Sequence, residues 1–209
     1  MRFNLKHLLR LLPVVLLAGS TATAGSRDRI PAEITVLVID GAGVSPAALS
    51  EMERETGRIF SRAGIEIDWV SCGPKIVDDR CDVVPGSNQF VLHIVPTGKT
   101  ASDIVFGVAF LGKDGSGKYC NVFLDRIQKA DREFGSGRSR LLGTVTAHEL
   151  GHLLLGAHAH SSWGLMAPVW REDALRLAGM GAFLFSPEQA ALMRARIDKE
   201  GVVFASWRR

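Results

Sequence analysis

The chain has 209 residues, 46% of them hydrophobic and 22% charged, a balance that excludes a disordered polymer and allows a sizeable buried core. Its formal charge of +3 lies in the first residues, where Arg2, Lys6 and Arg10 precede the apolar run Leu11 to Ala18 and the small residues Ala22-Thr23-Ala24. Without those three, 22 of the 25 Lys+Arg remain against 22 Asp+Glu, and a net charge of zero gives no electrostatic footprint for nucleic acid or an anionic membrane.

The basic, apolar and small-residue order of residues 1–24 is that of a signal peptide cleaved after Ala24. The apolar run is too short to stay in a bilayer as a spanning helix, and no cysteine stands near the cleavage point to carry a lipid. Residues 25–209 are therefore expected to form a single domain, secreted or periplasmic, monomeric and without a membrane anchor. An oxidising compartment suits a disulfide between Cys72 and Cys81, which bracket the polar loop "CGPKIVDDRC".

In chain order, "ITVLVI" from Ile34 to Ile39 is a continuous, largely apolar run rich in β-branched residues and reads as a strand buried on both faces. Ser45-Pro46 opens a helix, with Leu49, Met52, Ile59, Phe60 and Ala63 at helical spacing and Gly64 as its stop. Ile65, Ile67 and Trp69 alternate with Glu66 and Asp68 as a second strand with one wet face. "FVLHIV" from Phe90 to Val95 is a third, residues 104–110 a fourth, and Tyr119 to Leu124 a fifth after the turn "GKDGSGK". Cys120 alternates with Val122 and Leu124 on an apolar face, as a buried free thiol would. Lys129 to Ser139, polar and holding two glycines, reads as a loop. Leu141 to Leu155 is apolar nearly all round and predicts a buried helix. Ser186-Pro187-Glu188-Gln189 has the form of a capping box ahead of a C-terminal helix. The fold class is α+β, with a mixed, mostly parallel five-stranded sheet, two long helices and the C-terminal helix.

Chemistry concentrates in "HELGHLLLGAHAHSSWGLM", residues 148–166, which holds four of the six histidines. Residues four apart on a helix share a face, so His148 and His152 form a two-pronged clamp for a metal ion. Glu149, one residue on, can reach a water at that ion without being a ligand. Two histidines and a glutamate buried together need partners, and a metal with its water supplies them. Gly143 and Gly151 would let neighbouring segments approach the helix closely.

On these residues the sequence resembles the metzincin clan of zinc endopeptidases, in particular secreted bacterial members related to the matrixins. Members of the clan carry HExxHxxGxxH and then a methionine-containing turn. Met166 in "GLMAP", 18 residues after His148, matches that turn. The resemblance implies one catalytic Zn²⁺, hydrolysis of peptide bonds with Glu149 as general base, and a peptide or protein substrate lying along the edge strand near Phe106 to Leu111. The sequence departs from the motif where Leu155 takes the usual glycine position and Gly156 follows. His158 has the clan's offset, but only two residues from that glycine in which to return, whereas His160 has four. His160 is the preferred third ligand, with His158 open. Two rival readings remain: a gluzincin-type peptidase using Glu172 as third ligand, and a catalytically inactive, zinc-stabilised peptide-binding module.

Overall fold

The computed structural model describes residues 32–206 apart from 75, 77, 83, 100, 101 and 103, so the expected signal peptide lies outside the described residues. Five strands, β1 (Ala32–Asp40), β2 (Ile65–Cys72), β3 (Gln89–Val95), β4 (Gly107–Phe110) and β5 (Tyr119–Phe123), form one sheet in the order β2-β1-β3-β5-β4. Every pairing is parallel except that of β4 with β5, which makes β4 an antiparallel edge. Most of the run Ile34 to Ile39 is apolar because the middle of the strand is covered on both faces. Val36 and Val38 point into the main core with Phe90, Leu92 and Cys120, while Leu37 joins Val70, Cys72 and Val91 in a smaller cluster on the other side.

Among the described residues, five α-helices complete the fold: α1 (Pro46–Arg62), α2 (Leu124–Phe134), α3 (Arg138–Leu155), α4 (Glu172–Gly179) and α5 (Pro187–Ser206). Ser45 caps α1 by accepting from the Ala48 amide at 3.3 Å, with Pro46 at the first helical position. At α5 the Gln189 side chain accepts from the Ser186 amide at 2.9 Å, and the Ser186 hydroxyl accepts from the Gln189 amide at 3.2 Å. Both halves of the capping box are present. Cys72 and Cys81 are joined in a disulfide, and Cys120 is buried and free.

The helix α3 runs through the middle of the core, against α1 on one side and β4 and β5 on another. Its glycines explain how the packing closes. A Cβ at Gly143 would stand 2.7 Å from the Met52 carbonyl oxygen of α1, and one at Gly151 would stand 2.8 Å from Met166 Sδ. Each glycine admits a neighbour that any side chain would exclude.

Three expectations change. The fifth strand ends at Phe123, and Leu124 opens α2 instead of joining the strand. Lys129 to Ser139 is not a loop: α2 covers most of it, and α3 begins at Arg138. Leu124, Ile127, Ala130 and Phe134 sit at helical spacing within a strongly polar stretch and dock the helix on the core, Ile127 and Ala130 buried and the other two partly so. The fourth strand is shorter than residues 104–110, because its ladder with β5 starts at Gly107.

Candidate metal centre

Two turns of α3 place His148 and His152 side by side with their Nε2 atoms 3.1 Å apart. Gly156 then ends the helix at φ 82°, a left-handed angle that a side chain would resist, and its amide donates to the His152 carbonyl at 2.8 Å. Beyond it the chain is pinned at two points. The Gln189 amide group of α5 donates to the Ala159 carbonyl at 3.3 Å, and the Ser161 amide donates to the Met166 carbonyl at 2.9 Å. Between those anchors sits His160, its ring centroid 4.7 Å from that of His152 and 5.8 Å from that of His148.

One ligand atom from each of His148, His152 and His160 falls within 4.8 Å of the others, a group that could hold a metal ion. His158 is exposed and outside the group. Because Ala159 is buried, its two neighbours project away from the core, and the pinned return of the chain brings the later one over α3. His93 lies in β3, away from the cluster. Glu172 is exposed at the start of α4, paired with Arg176 one turn on and apart from the three histidines.

The donor set suits zinc. His148 Nδ1 lies 2.7 Å from the Leu165 carbonyl oxygen. A carbonyl only accepts, so Nδ1 carries the proton and Nε2 is left with its lone pair facing His152. The 3.1 Å between the two Nε2 atoms compares with about 3.3 Å between ligands of a tetrahedral ion with Zn–N bonds of about 2.0–2.1 Å. Burial lowers His148 to about 4 and His152 to about 3, so both rings are neutral near pH 7, the form that binds metals.

Glu149 is 5% exposed, and no described residue hydrogen-bonds its carboxyl group. Burial alone pushes it up to about 8. A lone buried carboxylate is costly, and a divalent cation beside it is the kind of partner that removes the cost.

Glu149 and the three histidines line a cleft of about 420 Å³. Edge strand β4 lines it, as do Ala167, Pro168 and Trp170. Met166 is fully buried, with its sulfur against Gly151. Trp170 escaped the reading of the sequence. It packs edge-on to the His148 ring at 5.4 Å between centroids, stacks on Phe106 at 6.4 Å and is itself buried. The indole thus braces the ring that Leu165 orients. An aromatic residue four positions after Met166 was the only trace of it in the sequence, and an isolated tryptophan at that spacing reads as ordinary core.

No protein-family model and no curated protein matches the sequence. Among solved structures, the chain is similar to the crystal structure of archaemetzincin from Methanopyrus kandleri, with a TM-score of 0.54 and 14% sequence identity over 80% of this chain and 97% of that one. At that identity the likeness is one of fold: a metzincin-like α+β fold with a five-stranded, mostly parallel sheet.

Proposed function

We propose that this chain is a zinc-dependent endopeptidase, carried out of the cytoplasm by residues 1–24 and related to the secreted bacterial members of the metzincin clan. The observation that carries the reading is the convergence of three imidazole nitrogens, from His148, His152 and His160, beside the Glu149 carboxyl, which no described residue hydrogen-bonds, in an open cleft. The shared fold with an archaemetzincin supports it. Among the described residues, no helix is long and apolar enough to cross a membrane.

His148, His152 and His160 would hold the zinc. When bound, zinc supplies a Lewis acid toward a water molecule and a carbonyl oxygen. Glu149 takes the proton of the attacking water and returns it to the leaving amine, so it needs a carboxylate that is neither exposed nor tied up in a hydrogen bond. Trp170 and the Leu165 carbonyl keep His148 in one tautomer and one orientation. Among the described residues, β4 pairs with β5 on one side only. Its free main-chain groups can pair with an extended peptide and hold the scissile bond over Glu149. A purely structural metal site has no use for an unpaired buried carboxylate at an open cleft, which sets the binding-module reading behind this one.

The experiment is cleavage of an unfolded protein mixture by the purified, zinc-loaded chain between pH 6 and 9. Fragments should accumulate, stop when a chelator removes zinc, and resume when zinc is restored. No chelator-sensitive cleavage of any such mixture would refute the peptidase assignment.

A further inference from the structure

Gly107 opens the edge strand opposite Val122 of β5 and lines the cleft together with Glu149. A Cβ built on Gly107 would stand 2.6 Å from Glu149 Oε1 and 2.7 Å from its Cγ, well inside the contact distance of about 3.5–4 Å for nonbonded carbon atoms. The backbone does not demand glycine, because Gly107 is absent from the positive-φ residues. The space demands it. The carboxyl group that occupies this space receives no hydrogen bond from any described residue, so its direction is set by what it packs against.

We propose that Gly107 is the positioning residue for Glu149. By carrying no side chain, it lets the carboxylate lie beneath the edge strand, at the point where a peptide paired to β4 would present its scissile bond. The inference rests on the proposed role of Glu149. A methyl group here would swing the carboxylate away from the reacting atoms, and a displacement of about 1 Å can cost on the order of 100-fold in rate. One competing obstacle is visible: the same Cβ would stand 2.8 Å from the Asn121 carbonyl oxygen, a backbone atom that serves no catalytic purpose.

The test compares Gly107→Ala, Glu149→Asp and the double variant, all zinc-loaded, with Gly98→Ala as a control in which a new methyl crowds Phe123 instead. Aspartate is one methylene shorter and withdraws from the methyl. The urea midpoint lost on Gly107→Ala should therefore be at least halved in the Glu149→Asp background. An equal loss in both backgrounds would assign the clash to Asn121 and overturn the proposal. If Gly107→Ala alone does not fold, recovery of folded double variant decides in the same sense. For peptide hydrolysis, Gly107→Ala should lower kcat by about 10- to 100-fold with KM within about 2-fold, at unchanged zinc content and unlike Gly98→Ala. An unchanged kcat would also overturn it. A wild-type chain without hydrolysis would sink the peptidase reading instead, and the urea comparison, which needs no activity, would still decide whether Gly107 accommodates Glu149.

Discussion

Replacing Gly151 by alanine sets two effects of opposite sign against each other. In the middle of a helix, alanine is favoured over glycine by about 1 kcal/mol. At this position, however, the added methyl would meet Met166 Sδ and Phe185 Cε1, each at 2.8 Å, and Phe185 Cζ at 3.2 Å. Met166 is 0% and Phe185 8% exposed, so neither side chain has open space to retreat into. Overpacking of this kind costs about 1–3 kcal/mol, and crowding from two residues at once places it toward the upper end. The net expectation is a loss of about 1–2 kcal/mol, measured by urea denaturation of the zinc-free protein. The damage should also reach the metal. The segment that would shift carries the Leu165 carbonyl that orients His148 and the Met166 carbonyl that anchors Ser161, next to His160. Loss of such supporting bonds typically weakens metal affinity by about 10- to 100-fold, which competition against a chelator of known affinity can measure. A Gly151→Ala variant that is more stable by about 1 kcal/mol and binds zinc unchanged would show that α3 and the Met166 turn are not packed as described.

The third ligand separates by single substitutions: His160→Ala should abolish stoichiometric zinc binding, whereas His158→Ala and Glu172→Ala should retain it, as read by metal analysis after dialysis. Cys72→Ser opens a loop with a sequence separation of 9 and should lower stability by about 2–3 kcal/mol in thermal denaturation, with Cys120 resistant to alkylation until the chain unfolds. The zinc-free protein should be most stable near pH 6.5. Folding lowers His148 from 6.5 to about 4 and His152 from 6.5 to about 3, so their contribution is fully present above pH 6.5 and is lost as pH falls through those values. Glu149 is raised from 4.5 to about 8, so its contribution is present below pH 4.5 and lost as pH rises through 8. Melting temperature against pH in a chelating buffer checks this, and a monotonic rise to pH 9 would contradict it.

The strands and the paired histidines were legible because each rests on a short-range rule. Alternation or an unbroken β-branched run marks a strand, and a spacing of four marks one face of a helix. The position of His160 was harder, because it depends on where α3 stops and on two hydrogen bonds to residues further along, from Gln189 and to Met166. Gly156 announced the stop but not the path. The helix α2 was hidden by composition: its buried face is narrow and the rest of its surface is charged. Gly107 had no local signal, and Trp170 only its place four residues after Met166. Gly107 matters through an atom of Glu149 that lies 42 positions away in sequence, and Trp170 through the ring of His148. Such pairings come from the closing of the sheet edge over the helix, which no window of sequence contains.

Hydrolysis by Glu149→Gln at matched zinc content bears most directly on the chemistry assigned to this cleft. Glutamine keeps the size of the side chain and removes the proton acceptor. The variant should bind one zinc as the wild type does, while chelator-sensitive cleavage of an unstructured peptide falls by at least about 100-fold. A Glu149→Gln protein that holds zinc and cleaves at the wild-type rate would contradict the account, since whatever moved the proton would then lie elsewhere.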